Sequence, residues 1–142
     1  MKYETSSGGV VVYKSKTGWV LLLIRDRNGS WTFPKGIVES KEDHVSTAFR
    51  EIGEETGITG LTLLTDLGSI NFIYKNNDLI RKTVYYFLFE SKIKQPINPQ
   101  LKEGITEGKW VTLADAAGII GYPETNRSLL LRAGNYLKKY AA

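Results

Sequence analysis

Glu51, Glu54 and Glu55 crowd the last turns of one expected helix, directly after Arg50. At spacings of three and four residues their carboxylates converge on one side, beside the stripe that should face a core. Like charges at that spacing repel. Glu54 and Glu55 also fall at the negative end of the helix macrodipole, where a carboxylate costs about 0.3–1 kcal/mol. Gly53 adds roughly 1 kcal/mol relative to alanine in a helix interior. A sequence shaped for stability alone would carry lysine here, so the cluster points to a functional site that holds a cation. The chain has no cysteine and a single histidine, His44, so zinc-type ligation is out of reach, and an oxygen-only cluster suits a hard cation such as Mg²⁺ or Mn²⁺.

The helix that must position these groups has readable ends. Ser40 and Asp43 form a workable capping box, which puts its start near Lys41. Val45, Ala48, Phe49 and Ile52 recur at the spacing that turns one stripe toward a core. Gly57, the residue type that most easily takes the left-handed conformation, ends the helix near Thr56.

Gly36, Glu42, Arg50, Glu51, Ile52, Glu54, Glu55, Gly57 and Ile58 fill every fixed position of the pattern G-x5-E-x7-R-E-U-x-E-E-x-G-U, with U aliphatic. This run resembles the Nudix box. The resemblance implies a Mg²⁺-dependent hydrolase, with Mn²⁺ a possible substitute, that cleaves a diphosphate linkage in a nucleoside diphosphate joined to another group. It makes Glu51 and Glu55 metal ligands and Glu54 a ligand or water-orienting base. The backbone carbonyl of Gly36, expected in the loop leading into the helix, would be a further ligand. Arg50 would steer Glu51, and Glu42 would pair with Arg50. An extra catalytic or metal-binding glutamate is expected before Trp110: Glu103 is preferred, and Glu107, at the mouth of a strand, is read as structural. Ser40 and Lys41 stand where many members carry Pro-Gly, at positions that shape the loop without ligating.

Composition bounds the rest. A chain of 142 residues with 42% hydrophobic content is expected to form one globular domain, residues 1–142, with a sizeable core. Absence of cysteine excludes disulfides and favours a reducing compartment. The segment MKYETSSGG has no apolar core of signal-peptide length, and no run approaches a membrane span, so the reading is cytoplasmic with no membrane partner. A net charge of +4 would favour steering of a polyphosphate and equally suits an RNA binder.

Strands are expected at about Gly9 to Tyr13, Val20 to Arg25, Leu61 to Tyr74, Thr83 to Glu90 and Lys109 to Thr112. Lys16-Thr17-Gly18 and Lys75 to Asp78 look like hairpin turns, and Gln95 to Gly104 like a longer polar loop. Helices are expected at Leu113 to Ile120 and Glu124 to Tyr140. Strands interspersed with three helices suit an α/β/α sandwich around a central mixed β-sheet, which is also the Nudix fold.

The flanks must choose the substrate. Lys35 precedes Gly36, Lys82 enters a strand, and Tyr74 offers an aromatic ring for base stacking. Trp31-Thr32-Phe33-Pro34-Lys35-Gly36 together with Lys82-Thr83-Val84-Tyr85-Tyr86-Phe87-Leu88 is similar to the diadenosine tetraphosphate hydrolase branch of the family. That likeness implies asymmetric cleavage to ATP and AMP by water attack at phosphorus, with Lys35 and Lys82 on the polyphosphate and an adenine on Tyr74. A nucleoside triphosphate pyrophosphohydrolase would need a base-reading pocket, for which Asp115 or Asn126 would serve. An RNA 5′-pyrophosphohydrolase would be expected to carry glutamine in place of Lys35. Diphosphoinositol polyphosphates would demand a denser cationic cluster than Lys35, Arg81 and Lys82. A non-catalytic nucleotide-sensing module would be expected to lack one of the glutamates, and none is missing.

Overall fold

The computed structural model describes residues 1–140; residues 141–142 of the expected domain lie outside them. The elements run β1 (Lys2–Ser15), β2 (Gly18–Arg25), β3 (Trp31–Thr32), β4 (Lys35–Ile37), α1 (His44–Thr56), β5 (Thr62–Asn76), β6 (Asp78–Glu90), β7 (Glu107–Thr112), α2 (Leu113–Ile119) and α3 (Pro123–Tyr140). The strands form one sheet in the order β3-β2-β1-β6-β5, with β4 added to β1 and β7 to β2. β1 and β6 are parallel and the other pairs antiparallel, so the sheet is mixed.

Strand alternation divides the core between the two faces. Val10, Val12, Leu21, Leu23, Tyr86 and Leu88 pack with Leu129, Ala133 and Leu137 of α3 and Ala116 of α2. Val11, Leu22, Phe87 and Phe89 pack with Ala48 and Ile52 of α1. The result is the expected α/β/α sandwich. Among the described residues no helix is long and apolar enough to cross a membrane.

Several local expectations change. α1 starts at His44, capped by Asp43, whose carboxylate accepts from the Ser46 N–H at 2.7 Å. Lys41 is left-handed at φ 69°, so no helix can run through it from Ser40. The turn it makes frees Glu42 to fold back, its carboxylate accepting from the Glu39 N–H and the Thr47 hydroxyl. Gly57 closes α1 as expected, at φ 75° with its N–H on the Gly53 carbonyl. Phe49 stays 37% exposed, its ring 4.7 Å from that of Phe89. β1 and β6 both start earlier than expected, because their polar N-terminal halves pair in parallel from Lys2 opposite Ile80 onward. Gly36 lies in the short strand β4, opposite Ser7, and not in a loop.

Candidate active site

Arg50 organises the carboxylates. Its Nε and Nη2 donate to the two oxygens of Glu42 at 2.6 and 3.0 Å, and Nη2 also reaches the Ile37 carbonyl at 3.1 Å. Nη1 donates to Glu51 at 2.8 Å and to Glu54 at 3.2 Å. Such charge-assisted, forked bonds are strong and directional. They hold the Glu42 carboxyl down to about 2. The pairing expected from the sequence is therefore formed, and Glu51 is aimed rather than free.

Glu51 and Glu55 are buried, while Glu54, one turn along from Arg50, stays exposed. The Glu51 carboxyl lies directly over Gly36: a Cβ there would come within 2.0–2.2 Å of its carbon and oxygens. Glu55 accepts from the Lys35 backbone N–H at 3.0 Å. Burial, then the charge of Glu51, pushes the Glu55 carboxyl from 4.5 up to about 8, against the pull of Lys35. Burial raises Glu51 as well, opposed by Arg50 and reinforced by Glu54 and Glu103.

Glu103 acts on both carboxylates because its loop is tied to the end of α1. The Asn98 N–H donates to the Thr56 carbonyl at 2.8 Å and the Gln100 N–H to the Glu55 carbonyl at 3.1 Å, and Glu103 follows in a 3-10 turn closed by Gly104 at φ 81°. Glu107 instead lies on β7, 3.8 Å from Arg25 of β2, a pairing between strands.

Among the described residues no three His, Cys, Asp or Glu side chains are gathered about one point. Two buried, mutually repelling carboxylates under the field of further glutamates nonetheless form an oxygen donor set with a deficit of positive charge. That suits a hard divalent cation that completes its shell with water and substrate phosphate. Without metal, Glu55 holds a proton in the folded chain between pH 4.5 and about 8 that the unfolded chain has released. The contribution of Glu55 to the stability of the metal-free protein should therefore be fully present below that window and lost across it as pH rises, on the order of a few kcal/mol. Melting temperatures in EDTA from pH 5 to 9 measure this; a flat profile would contradict it. Mg²⁺ should restore the loss above pH 8.

A cavity of about 340 Å³ opens from Glu55 and is lined by Lys35, Lys82 and Tyr74 as well as by Tyr86 and Asn126. The three residues expected to bind substrate thus share one cavity with one of the box glutamates. Lys82 Nζ lies 3.9 Å from Glu4, and the Tyr74 hydroxyl donates to the same Glu4 oxygen at 2.7 Å. Burial, then the charge of Lys35, lowers Lys82 from the usual lysine value, against the pull of Glu4. Burial, then Glu55, raises the Tyr86 phenol.

The mouth of the cavity holds a cluster that the sequence reading missed. The Tyr122 hydroxyl donates to Asp26 at 2.7 Å and accepts from the Asn28 amide at 3.2 Å. These partners lie 94 and 96 residues from Tyr122, so no local pattern joins them; the Gly121-Tyr122-Pro123 break was the available signal, and Tyr122 indeed takes φ 51°. Of the two residues weighed for base reading, Asn126 is buried in the cavity wall, its amide donating to Thr32 Oγ1 at 3.1 Å and the Gly121 carbonyl at 2.9 Å. Asp115 is exposed in the first turn of α2 and is not part of that wall.

Residues 4–132 match the NUDIX domain. The asymmetrical bis(5′-nucleosyl)-tetraphosphatase of Caenorhabditis elegans is 31% identical over 141 residues, spanning 96% of this chain and 94% of that one. A mutator protein of Mycobacterium tuberculosis is 32% identical over 133 residues, 88% of this chain but only 52% of the relative, so the chain spans about half its length. The crystal structure of a binary complex of the C. elegans Ap4A hydrolase superposes with a TM-score of 0.80 at 27% identity, covering 96% of this chain and 98% of that one. With this match running through the carboxylate helix and the cavity beside it, the chain belongs to the Nudix family, on its Ap4A hydrolase branch, and is a hydrolase acting on phosphorus-containing anhydrides.

Proposed function

We propose that the protein is a Mg²⁺-dependent hydrolase that cleaves diadenosine tetraphosphate asymmetrically to ATP and AMP by water attack at phosphorus. The observation that carries this reading is the cavity in which Lys35, Lys82 and Tyr74 meet Glu55. The activity named for the C. elegans relative agrees with it. Gly36 through its carbonyl, Glu51, Glu54, Glu55 and Glu103 would hold the metal, which when bound neutralises charge on non-bridging oxygens and lowers the pKa of water. Arg50 keeps Glu51 aimed, and Glu54 orients the attacking water or completes the ligand set. Lys35 and Lys82 neutralise the phosphate chain. The Tyr74 ring, its hydroxyl fixed on Glu4, offers a face to one adenine.

Product analysis tests the reading: purified protein and Mg²⁺ are incubated with diadenosine tetraphosphate, normal and oxidised nucleoside triphosphates, and triphosphorylated RNA. ATP plus AMP, formed more efficiently than any other products, is expected. Lys82→Ala should raise KM for the dinucleotide at least about 10-fold, as loss of a charge-assisted phosphate contact does, with a much smaller change in kcat. An unchanged KM would remove Lys82 from the site.

Asn126 favours a second reading. With both amide hydrogens committed to Thr32 and Gly121, its orientation is fixed and its oxygen remains an acceptor in the cavity wall. A buried acceptor of this kind suits reading of a base, as a nucleoside triphosphate pyrophosphohydrolase requires. Monophosphate plus pyrophosphate from a triphosphate would establish that alternative.

A further inference from the structure

Tyr86 is 1% exposed, yet among the described residues no group hydrogen-bonds its hydroxyl, and the side chain forms part of the cavity wall next to Glu55. A buried phenol normally finds a partner. The sheet explains where this one points. Tyr86 on β6 stands opposite Gly8 on β1 and Gly68 on β5, and Lys35 on β4 stands opposite Gly8. The row therefore reads Lys35, Gly8, Tyr86, Gly68, so neither adjoining strand places a side chain beside the ring within its own row. Phe33 meets it edge-on, 6.0 Å between centroids, and sets its tilt. Lys82 projects from the same face of β6, four residues and ~13 Å back along the strand. Glu55, whose charge acts on the phenol, lines the same cavity, as does Lys82.

We propose that the Tyr86 hydroxyl is a substrate-binding donor, hydrogen-bonding a non-bridging phosphate oxygen between the carboxylate pair and Lys82. The inference deepens the polyphosphate reading above and rests on it only for the identity of the anion. A neutral donor fits this place for a physical reason: burial and then the charge of Lys35 already depress Lys82, and a third cation nearby would add repulsion whenever the cavity is empty. A phenol supplies the hydrogen bond without the charge, held by a ring that Phe33 and the sheet immobilise.

The test is Tyr86→Phe, which keeps the ring and removes only the hydroxyl. Affinity for inorganic tripolyphosphate with Mg²⁺, measured by calorimetry, should weaken about 10-fold, and kcat/KM on whichever phosphoanhydride the wild type cleaves best should fall about 10- to 100-fold, as for loss of a hydrogen bond to a charged group. The melting temperature should equal or exceed that of the wild type, because no internal bond is lost. A folded Tyr86→Phe protein with wild-type tripolyphosphate affinity and wild-type kcat/KM overturns the proposal. Failure of the dinucleotide reading would show separately, as a different preferred substrate of the wild type.

Discussion

Glu55→Gln should lower Mg²⁺-dependent turnover on the order of 10³-fold, the scale of losing a preorganised charge-stabilising group, while raising the melting temperature of the metal-free protein above pH 8. Both effects have one cause. Glu55 sits in a wall that penalises its charge, beside a second buried carboxylate, and its carboxyl is pushed up to about 8. Glutamine has the same shape, and its amide oxygen can still accept from the Lys35 N–H, so the local hydrogen bond survives. What disappears is the charge. Without metal that is relief, and the variant should gain several degrees at pH 8.5 and lose most of the pH dependence expected between 4.5 and 8. On the proposed donor set it removes one of the two buried anions that would draw Mg²⁺ in, so the variant should also require far more metal. Turnover near the wild-type level would mean that the carboxylate pair is not where the metal acts.

The same residues show how far the sequence could be read. The glutamate cluster and the closing Gly57 were legible because each depends on spacing within a single helix or one turn of it, whereas the pairing of Arg50 with Glu42, eight residues earlier and outside α1, was implied only by the resemblance to the Nudix box. The start of α1 was not legible. Ser40 and Asp43 are both good capping residues, and Asp43 prevails because Glu42 must lie outside the helix, folded back onto Arg50. β3 and β4 span two and three residues, too short to carry any periodicity, and they exist because β2 and β1 offer them edges. The polar N-terminal half of β1 was invisible for a similar reason: its partner is β6, about 78 residues later, and only the register between them makes it a strand. The cavity inherits that limit. Lys35, Tyr74 and Lys82 were singled out individually by type and neighbourhood, whereas Asp26, Tyr122 and Tyr86 acquire meaning only once distant segments meet.

Gly36→Ala should abolish most of the activity while leaving the chain folded, with kcat/KM down on the order of 10²–10³-fold and stability changed by no more than about 1–2 kcal/mol. The sequence offered one reason for a glycine here, close approach of its carbonyl to a metal. The structure adds another: the missing Cβ leaves the space that the Glu51 carboxyl fills, since the added carbon would lie 2.0 Å from its carboxyl carbon. An atom cannot sit there, so one of the two must give. The obstructing atoms are the far end of a side chain, which can swing away without moving the backbone, and that is why the fold should survive. Glu51 cannot swing without leaving Arg50, which holds it at 2.8 Å, so the displacement breaks the ion pair that aims it. Gly8→Ala supplies the contrast on the neighbouring strand. There the added carbon would meet the Pro34 carbonyl oxygen at 2.2 Å, a backbone atom that accepts from the Gly9 N–H of β1 at 3.2 Å, and the damage should fall on stability. Melting temperature and kcat/KM measured for both variants therefore separate the roles. A fully active Gly36→Ala protein would show that Glu51 need not occupy its observed place, and an unfolded one that the packing of β4 against α1, rather than the aim of one carboxylate, is what this glycine protects.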